Sequence, residues 1–371
     1  MPITQLDKSD FVDRSPVQGL APSDVSRVED RLLWPDVIKV YAIIAVVVIH
    51  SCVPFVYHYA SISHFNWWVC DFCYAMSRPA VPLFVMLSGM FLLGKNEALG
   101  VFFAKRVKKV LIPFVFWQIF YFIWQGYQDT HHISLKGMVP AIFDGPTCYH
   151  LWYPFMLVGL YLATPVLRVY VQNASDAQIK YFLACWFCFA LLLPIWERFG
   201  TVREGIKPVL AIGYSGYFVL GYYLRNKKLG AVGARIALAL IPLVVAFTAL
   251  VTNKLTVLRG APDEFFMQYL SPNVAILSIC LYLLMKAGRY HELFEKVPQV
   301  EQLVKICGAT SFGVYLVHPC VLANVYRICN ISLSDPALIA VPCLVILTII
   351  ISVVIVKLLQ SVPGLRALVP G

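Results

Sequence analysis

Stretches of roughly 20 mostly apolar residues recur ten times along this chain, at about 35–57, 67–94, 110–127, 150–171, 181–198, 208–224, 235–252, 268–286, 308–328 and 336–357. A helix of about 20 residues rises about 30 Å, the thickness of a bilayer's hydrocarbon core. Lipid offers no partner to a backbone N–H or C=O, so such stretches fold as helices that bond internally. The pattern predicts an all-α polytopic membrane protein with about ten transmembrane helices. Charged residues make up only 13% of the chain, about half the share usual in a soluble domain. The boundary between the fifth and sixth spans is the least defined, because "ERFGTVREGIK" (197–207) is polar.

Basic residues give the expected orientation. With the N-terminus inside, 21 of the 30 Lys and Arg fall in cytoplasmic segments and 7 in outer loops, Lys39 and Arg78 lying within spans. That asymmetry follows the positive-inside rule and predicts cytoplasmic N- and C-termini. It also explains the formal net charge of +10 without nucleic acid, since no basic stripe with interleaved aromatics is present. Residues 1–33 are polar, lack the apolar core and cleavage site of a signal peptide, and read as a flexible cytoplasmic tail. A transmembrane domain over 34–358 and a cytoplasmic tail over 359–371 complete the expected organisation.

Eleven cysteines are scattered over many segments. Cys70 and Cys73 form one CxxC with no second pair at zinc-ribbon spacing, so no metal site is expected. Cys70, Cys73 and Cys148 fall near the outer face, where a disulfide has room to form but no pairing can be assigned.

Four constellations stand out against this apolar background. Lys39 and His50 share the run "VIKVYAIIAVVVIHSCVPF". Eleven residues advance a helix about 16 Å and turn it three times plus about 20°, so both side chains project from one face. A snorkelling lysine and a histidine bonded to a neighbouring helix would explain them separately; their shared face favours a single polar channel. Arg78, in "SRPAVPLFVMLSG", lies at a depth matching His50 and needs a carboxylate, a substrate oxygen or water beside it. Pro79 and Pro82 free nearby backbone carbonyls. Ser88 and Gly89 provide a small polar spot, or simply allow close helix packing.

The third constellation is "AKRVKKVLIPF" (104–114), where Lys105, Arg106, Lys108 and Lys109 cluster at the membrane's inner edge. Anionic lipid and topology control account for such a cluster, and so does a grip on the phosphates of an acyl-CoA. The fourth is "GATSFGVYLVHP" (308–319), which sets Ser311, Tyr315 and His318 at i, i+4 and i+7 on one face. His150, Trp152 and Tyr153 open the fourth span at the outer interface, where an aromatic belt is the plain alternative.

The stretches "LLWPDVIKVYAIIAVVVIH", "RPAVPLFVMLSGMFLL", "KRVKKVLIP", "HLWYPFMLVGLYLATP" and "SFGVYLVHP", in this order over nearly all of 32–358, resemble the acyltransferase 3 family of integral membrane O-acyltransferases. The resemblance implies a ten-helix domain that moves acyl groups from acyl-CoA to extracytoplasmic sugars. It assigns the family's first-helix basic residue and histidine to Lys39 and His50, and its RxxR motif to Arg106 and Lys109. Lysine replaces the usual arginine twice, which keeps the charge and loses the bidentate fork. The outer-loop glutamate that some branches carry near the LWY motif is absent, and "HLWYPFMLVG" looks like the branch acetylating lipid-linked or polymer sugars.

The expected function is therefore O-acetylation, in a bacterial inner membrane, of a surface polysaccharide or its lipid-linked precursor, with acetyl-CoA as donor. In this reading Lys39, Arg106, Lys109 and Ser88 hold the donor. His50 serves as general base or transient acyl carrier, and Arg78 stabilises the oxyanion. His150, Trp152, Tyr153, Ser311, Tyr315 and His318 line the acceptor path. Membrane lipids and polysaccharide-assembly proteins are the expected neighbours. An exporter built on the same helices is the rival reading, and a membrane sensor or scaffold a weaker one that leaves the Lys39–His50 face unexplained.

Overall fold

A computed structural model describes residues 22–130, 138, 140, 144–200 and 213–371. The expected flexible tail up to residue 21, Lys136, Arg203, Lys207 and most of the polar 197–207 boundary lie outside the described residues. Those described form helices and short connections, with no strand among them. In chain order the helices are α1 (Pro22–Tyr57), α2 (His64–Ser77), α3 (Ala80–Leu92), α4 (Leu99–Arg106), α5 (Ile112–Thr130), α6 (Trp152–Asn173) and α7 (Asp176–Trp186). They continue as α8 (Leu193–Phe199), α9 (Gly213–Leu224), α10 (Ala231–Arg259), α11 (Pro272–Ala287), α12 (Tyr290–Glu295), α13 (Pro298–Ile328) and α14 (Ala337–Ser361).

Nine helices or helix pairs among the described residues are long and apolar enough to cross a bilayer. The sixth expected span is represented by α9, whose 12 residues rise only about 18 Å. The second span is broken at Arg78–Pro79, between α2 and α3. Proline at that point has no N–H to give a continuing helix, and Arg78 becomes the C-cap of α2. Two further spans contain π-helical turns, Val107–Leu111 between α4 and α5 and Phe187–Leu192 between α7 and α8.

Helix α1 runs through the middle, packed on α2, α3, α11, α13 and α14. Its Ile38, Ala42, Val47, Cys52 and Phe55 are fully buried. Packing is closest between α3 and α9, where two glycines interlock. A Cβ on Gly89 would fall 1.8 Å from the Phe218 carbonyl oxygen, and one on Gly221 would fall 1.9 Å from that of Met86. Gly89 therefore serves backbone approach, the packing role that small residues play in membranes, whereas its neighbour Ser88 faces a cavity.

The end of the bundle carrying Arg106, Lys109, Arg225, Lys227 and Lys286 is called the basic face below. Residues 362–371 return to it: the Trp117 Nε1–H donates to the Leu368 carbonyl at 2.9 Å, Gln360 Nε2 donates to that of Val369 at 2.9 Å, and Val369 is fully buried.

Candidate functional site: two cavities and a ring septum

The single polar channel expected along the Lys39–His50 face is occupied at mid-depth by aromatic rings, which leave two cavities. The first, about 220 Å³, opens on the basic face. Lys39, Ser88, Arg106 and Lys109, the four residues expected to hold the donor, all line it. Lys39 Nζ is paired with Asp36 Oδ1 at 2.7 Å. Arg106 lies with its guanidinium 5.0 Å from the Phe102 ring centre and 5.6 Å from that of Tyr161, a cation–π seat that fixes a long side chain without a carboxylate. Arg106 and Lys109 both line this cavity, one at the start of the π-helical turn Val107–Leu111 and the other within it. Lys105 turns elsewhere, to Glu97 at 2.6 Å, and its hydrogen bond holds the Glu97 carboxyl below the usual carboxylate range.

The second cavity, about 620 Å³, lies toward the opposite face, and no lining residue among the described ones is shared with the first. His50, Arg78 and Trp152 line it. Arg78 sits with its guanidinium carbon 4.0 Å from the Tyr269 ring centre, and its Nη1 donates to Tyr74 Oη at 3.3 Å. Tyr74 Oη in turn donates to Glu264 Oε1 at 2.7 Å, and Tyr57 Oη to Glu264 Oε2 at 2.9 Å. Glu264 is thus the acid of the site, linked to Arg78 through one hydroxyl. Sequence reasoning missed it, together with Tyr74 and Tyr269. Its signal was indirect: a mid-membrane arginine needs a carboxylate, a substrate oxygen or water beside it, and a loop residue carries no helical phase by which to choose among them.

Between the cavities lie His150, His318, Tyr315 and Tyr153. His318 stacks on His50 with ring centres 5.2 Å apart and meets His150 at 5.4 Å. Its Nδ1 is 2.7 Å from the Tyr315 carbonyl oxygen. A carbonyl only accepts, so Nδ1 carries the hydrogen and Nε2 keeps the lone pair of the neutral ring. Among the described residues that Nε2 has no partner, and neither has either ring nitrogen of His150. The Tyr315 hydroxyl donates to the His150 carbonyl, tying α13 to the start of the fourth span. The expected acceptor set is therefore divided. Trp152 lines the second cavity, Tyr153, Ser311 and Tyr315 line the first, and His150 and His318 are buried between them. The reason is helical phase: adjacent residues point about 100° apart, which separates Trp152 from Tyr153.

Cys52, Cys70, Cys73 and Cys148 are free thiols. No cluster of metal-ligating side chains occurs among the described residues.

Comparison with protein families gives a match of residues 32–357 to the family model described as an acyltransferase domain, acyltransferase 3. Comparison with curated proteins and with solved structures gives no match.

Proposed function

The chain belongs to the acyltransferase 3 family, and from that premise we propose that this multi-pass membrane acyltransferase transfers an acetyl group from acetyl-CoA on the cytoplasmic side to a sugar hydroxyl of a surface polysaccharide or its lipid-linked precursor. The observation that carries the reading is the pair of cavities, one lined by Lys39, Arg106 and Lys109 and the other by Arg78 and Glu264 among aromatic rings, that meet at His50, His318 and Tyr315. Lys39, Arg106 and Lys109 supply cations for donor phosphates, and the narrow cavity beyond them suits a thin arm bearing a thioester. The rise from Lys39 to His50 is about 16 Å. The second cavity suits a sugar, which stacks its C–H faces on rings such as Tyr269 and Trp152, themselves stacked at 5.4 Å, and donates hydroxyls to Glu264.

The transfer step balances with these groups. His50 takes the proton of the acceptor hydroxyl as its oxygen attacks the thioester carbonyl carbon. The carbonyl electron pair moves onto oxygen, where Arg78 stabilises it. Collapse breaks the C–S bond, and the leaving thiolate takes up the proton held by His50, giving an ester and a free thiol. His318 acts through His50: its fixed Nδ1–H leaves the lone-pair nitrogen on the ring that stacks against the base. Tyr315 and Tyr153 must turn aside for the acyl group to pass.

Acetyl content of the polymer in a bacterial deletion strain, with and without the restored gene, tests the reading. Restoration of acetyl groups at unchanged polymer yield is the expected result. A change in polymer amount at constant acetylation would make the protein an exporter.

A further inference from the structure

A third cavity adjoins the first on the basic face and is the roomiest of the three, about 850 Å³. Lys39, Arg225, Lys227, Lys228 and Lys286 line it, against the single carboxylate of Asp36. That carboxylate is already bound to Lys39 at 2.7 Å. Lys227 is paired with Asp176 at 3.0 Å, but among the described residues neither Arg225 nor Lys228 has a carboxylate partner. The loop that carries them is held in place: Lys286 Nζ donates to the carbonyls of Leu224 and Lys227, at 2.7 Å each. Arg225 is seated too. Its guanidinium lies 4.0 Å from the Tyr222 ring centre, in space left by Gly94, where a Cβ would fall 1.9 Å from Nη1. A seated Arg225 with an exposed Lys228 beside it, neither facing a carboxylate among the described residues, over a cavity of this size suits a ligand with more than one negative charge.

Two features say which ligand. Lys39 and Phe91 line both this cavity and the first, so the two are contiguous. The first, at about 220 Å³, is below the ~300–1,000 Å³ of cavities that enclose a whole small ligand, and so takes an arm but not a nucleotide. The third is within that range, and Trp34 and Phe91 give it aromatic surface for a planar base. We infer that the third cavity binds the phosphorylated adenosine end of the acyl-CoA donor, with the 3′-phosphate between Arg225 and Lys228, while the pantetheine arm passes Lys39 into the first cavity. This rests on the acyl-CoA reading above and adds to it a site distinct from Arg106 and Lys109.

The test uses the full chain in nanodiscs of zwitterionic lipid and measures calorimetric binding of coenzyme A and of its analogue lacking the 3′-phosphate. Wild-type protein should prefer coenzyme A. Arg225→Gln with Lys228→Gln should weaken coenzyme A about ten- to a hundredfold and leave the dephosphorylated analogue unchanged, because only the 3′-phosphate contact is lost. Lys228→Gln alone, at an exposed position, keeps the test open if the double variant does not fold, with a smaller loss of the same selectivity. Equal coenzyme A affinity in wild type and variants overturns the assignment. If the variants instead differ from wild type only in discs containing phosphatidylglycerol, the cavity serves a lipid phosphate and the assignment is again overturned. Failure of the wild-type protein to bind either analogue is a separate result, which removes the acyl-CoA reading itself and this inference with it.

Discussion

The cavity at the basic face and the cavity behind the ring septum hold their polar groups in different ways. The first presents Lys39, Arg106 and Lys109 as cations on long side chains, Lys39 paired with Asp36 and Arg106 seated on the rings of Phe102 and Tyr161. The second presents one arginine and one glutamate, each immobilised by tyrosines: Tyr269 and Tyr74 on Arg78, Tyr74 and Tyr57 on Glu264. Selection by charge tolerates mobile donors, because a phosphate accepts from many directions. Placing one hydroxyl beside one imidazole requires fixed groups, since an error of about 1 Å costs roughly a hundredfold in rate. The difference teaches that variants of the first cavity should act on donor affinity, and variants of the second on turnover or acceptor binding.

The severest test removes the base. His50→Ala should lower acetyl transfer by ~10²- to 10⁴-fold at unchanged membrane levels, because the ring borders an open cavity and its loss leaves no sealed apolar void. His318→Ala should be milder, and its effect should fall on turnover rather than on either KM. Polymer acetylation at matched protein levels checks both, and near wild-type activity of His50→Ala would sink the mechanism.

The donor side should respond more weakly and in a different constant. Arg106→Ala with Lys109→Ala should raise the KM for acetyl-CoA about ten- to a hundredfold, the loss of one or more charged hydrogen bonds at about 1.5–3 kcal/mol each. The KM for the acceptor should not move. An unchanged donor KM would return the cluster to lipid contact and topology.

Glu264→Ala probes the opposite wall. It removes the acceptor of two tyrosine hydroxyls and should raise the acceptor KM by a few-fold to about tenfold, the scale of one or two hydrogen bonds, while donor KM stays constant. A shift in donor KM would erase the distinction between the cavities.

The smallest effect is the most discriminating. Lys105 has the same charge as Lys109 and stands in the same cluster, but it points to Glu97 and lines neither cavity. Lys105→Ala should leave both KM values unchanged in steady-state kinetics. A rise equal to that of the Arg106 and Lys109 variant would mean that net charge, not cavity geometry, binds the donor.

What was legible in the sequence is what a helix enforces within itself. The spans follow from apolar length against bilayer thickness, and the common face of Lys39 and His50 from the fixed turn per residue. The need of Arg78 for a carboxylate, a substrate oxygen or water beside it followed from its depth. Contacts between helices were not legible, because helical phase says where a side chain points and not what meets it. Only the packed bundle sends Trp152 and Tyr153 to different cavities, and only there do His50 and His318, 268 positions apart in the chain, stack at 5.2 Å. It alone brings Glu264 to Arg78 through Tyr74, and Arg225 and Lys228 to the cavity beside Lys39. These pairings depend on which ridges of α1 meet α3, α11 and α13, a choice made by close packing across the whole core.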